Sequence, residues 1–291
     1  MSGFAPHAEG MQTITVTGQY SLREQSRRFG GFAHPAGEDS AAMAFPVEGW
    51  THAAAVTLAQ TGEHTIEGRV VGGRDDDDRP WRQALAVLSL DIDATGYAEV
   101  GERDPVIGRL QRENAYLRPV LFHSPYEAAC AFGIGHRIRI DQGRALRARM
   151  AREHGETFDV DGTAVHAFPP PQDLLELGEV GGLNAEKVRR LHGVAEAALN
   201  GRLDRESLRA MPVEDALAQV RTIRGIGAFF AVGIVLRGAG LVDAVPDDDI
   251  TRAGIRRFYD AEDEDTVTRR WRPFRTWCAV LIHSAERDAR G

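Results

Sequence analysis

Lysine is nearly missing from this chain: of its 35 basic residues, Lys187 alone is a lysine and the rest are arginines. Chemistry that needs a side-chain amine, such as Schiff-base formation, therefore has one candidate nucleophile. Cysteine is as scarce, with Cys130 and Cys278 far apart in the sequence. Two thiols cannot supply a four-thiolate iron–sulfur cluster, and they read as buried thiols in a reducing cytoplasm. The ten histidines are scattered without a His-x-x-x-His pair, so no metal site is expected. The longest apolar run, Ala228 to Leu236, is nine residues. That is too short to span a bilayer, and no membrane partner is expected. The first ten residues, MSGFAPHAEG, hold neither a basic nor an apolar stretch. The expectation is a cytoplasmic protein with no secretory leader.

An excess of positive charge is missing too. The formal net charge is −8, whereas a protein that grips nucleic acid is usually basic. The deficit is local: residues 1–104 carry 8 basic and 16 acidic side chains, and residues 105–291 carry 27 of each. The larger part is neutral and remains free to present a basic face.

What is present is a long chain with 43% hydrophobic residues across 291 positions, enough for one large or two modest domains. MQTITVTGQY (11–20) alternates as a strand does, and SLREQSRRF after it has helical spacing. Gly30 to Trp50, rich in Gly, Pro and Ala, reads as loop or edge structure. THAAAVTLAQ, TIEGRVVGG and RQALAVLSLDID supply further strands or a helix, around a solvated acidic loop at Asp75–Asp78. From Asp104 onward the pattern turns helical. Segments near 104–115, 124–132, 141–153, 171–177, 184–199, 204–209, 212–222, 228–238, 249–259 and 264–287 are separated by short polar or Gly/Pro links. The prolines 169–171 break the pattern as a turn. The expected fold class is α+β: an N-terminal domain with an antiparallel sheet over residues 1–104, then a two-lobed all-α domain over 105–291 with a cleft between its lobes.

The most informative stretch is Arg221 to Asp260. Gly225-Ile226-Gly227 allows a sharp turn between two helices, because neither glycine carries a Cβ. The amides that open the next helix have no intrahelical partner and suit a backbone phosphate. Such a hairpin positions a protein on nucleic acid without reading its sequence. Twenty-one residues after Gly227 comes Asp248, inside Pro246-Asp247-Asp248-Asp249. An Asp before a helix is also a standard N-cap. Three aspartates exceed what a cap needs, and the positive end of a helix keeps a carboxylate ionised.

These residues resemble the helix–hairpin–helix DNA glycosylases with a trailing catalytic aspartate, most closely the type II 3-methyladenine DNA glycosylases. The resemblance covers roughly 105–287 well and the first domain loosely. It implies a monofunctional enzyme of base excision repair, acting on double-stranded DNA as a monomer, at the nucleoid, on alkylated purines. Asp248 takes the catalytic place, with Asp247 and Asp249 as fallbacks for a one-residue slip. Gly225, Ile226 and Gly227 take the phosphate-binding turn, and His136 and Arg137 take the minor-groove wedge. Phe132, Phe229, Phe230, Trp277 and His283 are candidates for the base pocket, each with ordinary core or surface packing as its rival reading. His283 stands where close relatives place a pocket tryptophan. The lysine of bifunctional relatives falls on Phe229. No cofactor is implied beyond a monovalent cation that the family sometimes holds through hairpin carbonyls. The competing expectation is a non-catalytic module that binds damaged or bent DNA.

Overall fold

The computed structural model describes residues 10–29, 37, 39–74, 76–260 and 263–289. The opening residues 1–9, Gly30–Ala36, Glu38 and Asp75, on which some of the expectations above fall, lie outside the described residues.

Four antiparallel strands form the N-terminal sheet: β1 (Gln12–Thr15), β2 (Ser40–Pro46), β3 (Ala53–Gly62) and β4 (Thr65–Val71), in the order β1-β4-β3-β2. Val56 stands opposite both Met43 and Val70. Because side chains alternate across a strand, β2 serves two layers. Its Ala41, Met43 and Phe45 pack with Leu22 of α1 (Leu22–Phe29) and with Trp81 and Leu85 of α2 (Arg79–Val87). Its Ala42 and Ala44 pack instead on Phe158, Val160 and Val165. Those last residues form a hairpin, β5 (Thr157–Val160) and β6 (Thr163–His166), inside the stretch expected to be wholly helical. Its turn is Asp161-Gly162, with φ of 52° and 79°, the positive pair a two-residue hairpin turn demands.

The remainder is helical: α3 (Tyr97–Arg103), α4 (Pro105–Glu113), α5 (Pro125–Gly135), α6 (Ile140–His154), α7 (Pro171–Glu176), α8 (Ala185–Leu199), α9 (Arg205–Ala210), α10 (Val213–Arg221) and α11 (Ala228–Ile234). A π-helical turn, Val235–Ala239, prolongs α11 before α12 (Asp249–Phe258), α13 (Glu264–Arg270) and α14 (Arg275–Asp288). The expected single helix 264–287 is two, because Pro273 has no amide to donate and the chain turns between Trp271 and Phe274.

Two helical cores result. One gathers Tyr126, Leu191, Val220 and Ile234, from α5, α8, α10 and α11. The other gathers Tyr97, Ile107, Ile255, Trp271 and Trp277, from α3, α4, α12, α14 and the turn before α14. The second core draws on the first 104 residues as well: Ala94, Tyr97 and Val100 pack with the C-terminal helices. Among the described residues, no helix is long and apolar enough to cross a membrane.

Candidate active site

The loop after the π-helical turn is tied down at its start. Gly240 takes φ 81°, which ends the turn. Thr276 Oγ1 lies 2.7 and 2.8 Å from the carbonyl oxygens of Leu241 and Ala244. Arg275 Nε donates to Asp243 Oδ1 at 2.7 Å. With residues 241–244 held, Asp248 arrives at the start of α12 in extended conformation. Its Oδ1 accepts from the amides of Ile250 and Thr251, both at 2.8 Å. Its Oδ2 accepts from Thr251 Oγ1 at 3.1 Å and lies 3.3 Å from His283 Nε2. The Thr251 hydroxyl has one hydrogen, spent on Asp248. At the 2.9 Å contact between Thr251 Oγ1 and His283 Nε2 the imidazole is therefore the donor, its one Nε2 hydrogen shared between Thr251 and Asp248.

Partial burial alone would raise the Asp248 pKa, but the hydrogen bonds from His283 and from Thr251 outweigh it and bring the carboxyl down to about 2. Asp248 is thus a helix cap and an ionised acid as well. Its side chain keeps 21% of its surface, and that surface faces a cleft. Two chambers, of about 730 and 170 Å³, share Phe229, Leu236, Arg237, Asp248, Thr276, Val280 and His283 as walls. The neighbouring acids behave otherwise. Asp247 and Asp249 are exposed and pair with Arg252, Asp249 at 2.9 Å, although Asp247 also reaches the rim of the small chamber.

The turn before α11 is exposed at Gly225, Gly227 and Ala228. Gly225 takes φ 86°, and a Cβ there would stand 2.8 Å from Arg190 Cδ, so glycine is required. Ile226 is buried in the first core and anchors the turn. Gly227 opens α11 with empty space around it, leaving the first amides of the helix accessible.

No protein-family model matches the chain. It is 27% identical over 171 residues to a DNA-3-methyladenine glycosylase of Bacillus subtilis, covering 56% of this chain and 55% of that protein. It is 28% identical over 195 residues to DNA-3-methyladenine glycosylase 2 of Escherichia coli, covering 62% and 64%. The matches thus span less than two thirds of either relative. In three dimensions it superposes on a 3-methyladenine DNA-glycosylase from Archaeoglobus fulgidus with a TM-score of 0.76. That likeness covers 95% of this chain and 98% of the other at 18% identity. The fold is that of the helix–hairpin–helix DNA glycosylases.

On this glycosylase fold the other expected residues fall unevenly. Phe229 is 72% exposed and walls both chambers. Phe132 walls the small one and stacks on Phe230, ring centroids 5.5 Å apart. It lies so close to α11 that a Cβ on Gly233 would meet its ring at 2.4 Å. His136 sits edge-on to Phe230 at 5.6 Å, and loss of water contact, then Arg137, Arg190 and Lys187, lower its pKa. Arg137 follows it, exposed, with φ 57°. Trp277 departs from expectation. It is 1% exposed and packed among Tyr97, Phe274 and Arg118, so it offers no face to a ligand.

Two residues beside the site carry no mark in the sequence. Thr251, buried against Asp248, is one. Ile140, 77% exposed beside the wedge candidates, is another, and an apolar residue between Arg139 and Asp141 could have drawn notice. Arg28, Arg144, Arg237 and Arg287 also wall the large chamber. Lys187 is not among the cleft walls. Its Nζ donates to the carbonyl of Ile134 at 2.7 Å, at the end of α5.

Proposed function

We propose that this chain is a monofunctional DNA glycosylase of base excision repair. It turns a damaged purine out of the duplex into the cleft and hydrolyses the N-glycosidic bond with Asp248. The observation that carries this reading is a single acid, held ionised and rigid by four contacts, with its remaining surface on the cleft wall. As the base departs, positive charge grows on the sugar. A carboxylate already fixed beside it stabilises that charge without reorganising. Water is the nucleophile, so the chemistry requires no cofactor. A base must leave the stack before it can be reached, and the cleft between the helical cores gives it room.

The partner in this reading is double-stranded DNA, bound by a monomer. The open amides after Gly225-Ile226-Gly227 grip a phosphate, and the loop at His136 and Arg137, with Ile140 beside it, fills the gap in the duplex. Both sequence relatives are named for 3-methyladenine, an alkylated purine, and that lesion class is the one we assign. Lyase chemistry is left out because the one amine, Lys187, is engaged at a helix end and Phe229 occupies the corresponding place on the hairpin.

Methylated duplex DNA tests this directly. The protein should leave alkali-labile abasic sites, and Asp248→Asn should slow their formation by about 10²–10³-fold, the usual cost of losing one preorganised charge. Equal yields from both proteins would remove Asp248 from the chemistry. DNA binding with no base released by either would leave only a damage-binding module.

A further inference from the structure

Lys187, the chain's one lysine, lies between the two parts of the molecule assigned to DNA rather than on the cleft wall. It sits half-buried in the first turn of α8, and its Nζ donates at 2.7 Å to the carbonyl of Ile134. That carbonyl lies in the last turn of α5, where no amide of the same helix remains to meet it. The negative end of the helix favours a cation there as well. Two residues on, the chain leaves α5 through His136 and Arg137, and Arg137 takes φ 57°. Left-handed backbone is unfavourable for arginine, so the loop keeps this shape only while its surroundings hold it.

The next turn of α8 reaches the phosphate-binding turn. Arg190 Nε donates to Glu186 Oε1 at 3.1 Å, and a Cβ on Gly225 would stand 2.8 Å from Arg190 Cδ. Glu186 Oε2 lies 3.7 Å from Arg224, the residue before that glycine. On its other side Arg190 Nη1 is 3.5 Å from His136 Nδ1. The start of α8 therefore touches the turn at 225–227 and the loop at 136–137 together. The contact from Lys187 is the shortest link in this bridge, and it is made to the helix from which the wedge loop springs.

We propose that Lys187 is a positioning residue for base extrusion: it fixes the wedge loop at a set offset from the phosphate-binding turn, so that gripping the backbone aims the wedge at the base stack. The proposal rests on the glycosylase reading above and adds the means by which its two DNA contacts act in register. A hairpin that holds phosphate holds any duplex. Turning a base out forfeits its stacking and pairing, and the wedge compensates only where it meets the gap. A misplacement of about 1 Å is enough to cost much of the rate. Lys187 acts through the loop and touches neither sugar nor base.

A duplex with 2-aminopurine beside an abasic analogue reports gap filling without any cleavage, because the fluorescence of 2-aminopurine follows its stacking. Wild type, Lys187→Met and Lys187→Arg would be titrated into it and into undamaged duplex, and single-turnover release would be measured from methylated duplex. Lys187→Met keeps the length of the side chain and loses the donor. It should bind undamaged duplex as wild type does, lose most of the fluorescence change at saturation, and release base about tenfold more slowly. Lys187→Arg, which can donate to the same carbonyl, should recover both signals. Lys187→Met matching wild type in fluorescence and release would overturn the proposal, as would wild type leaving the fluorescence unchanged at saturation. So would an affinity for undamaged duplex that falls as far as release does, since Lys187 would then be a phosphate contact. Failure of Lys187→Arg to improve on Lys187→Met would reject the donated hydrogen bond as the cause. A fluorescence difference between the two variants, with no base released even by wild type, would keep the positioning role and sink the glycosylase reading instead.

Discussion

Asp104 and Asp248 are the same device in two settings. Each precedes a helix and gives one carboxylate oxygen to two backbone amides: Val106 and Ile107 at 3.0 and 3.1 Å for Asp104, Ile250 and Thr251 at 2.8 Å for Asp248. Each turns its second oxygen to side chains. For Asp104 these are the Tyr259 hydroxyl at 2.9 Å and the Trp271 indole at 3.2 Å, both in a core where the acid is 0% exposed, with the half-buried Arg270 guanidinium at 3.8 Å. For Asp248 they are Thr251 and His283, on the wall of a cleft. The chemistry of the caps is alike, and access alone separates them. An acid with every partner inside the fold can only hold the fold. An acid with one side open can also meet a developing charge.

Asp104→Ala strands the indole and the phenol in a core, and removing one partner of a buried polar cluster costs about 3–5 kcal/mol. Urea unfolding should show that loss. Asp248→Ala removes a cap at an open site and should cost only about 1 kcal/mol, while abolishing most of the base release described above. If the two variants lost equal stability, the difference in access would have no energetic meaning.

The sequence marks both caps but not which is buried. Asp-Pro at 104 and Pro-Asp-Asp at 246 are local backbone signals, like Gly225-Ile226-Gly227, and local signals survive without tertiary context. The helices from α4 to α12 were legible for the same reason, and so was the α+β class. The β5–β6 hairpin escaped, although Asp161-Gly162 announced it. Its strands are four residues each, too short for alternation to stand out among helices. Trp277 was open to a pocket reading and a core reading. Helical spacing sets it on the core face of α14 with Leu281. The arginine wall could not be read at all, since residues 28, 144, 237 and 287 meet only once the chain has folded.

Asp248 titrates at about 2 against an ordinary 3.8, held down by the hydrogen bonds from His283 and Thr251 against the opposing pull of burial. The sign follows from linkage. A carboxyl whose pKa is depressed by folding contributes stability in full above its unfolded value, and that contribution fades as pH falls from near 3.8 toward 2. The gap in stability between wild type and Asp248→Asn should therefore narrow over that interval and stay flat above it. His283→Phe removes the largest of the lowering contacts and leaves the two amides in place. Carbon-13 titration of the Asp248 carboxyl should then show its midpoint moving upward from about 2, with the variant still folded and α12 still capped. A midpoint unmoved by His283→Phe would assign the ionisation to the helix end alone, as for any capping aspartate, and would leave His283 free to face the substrate rather than the acid.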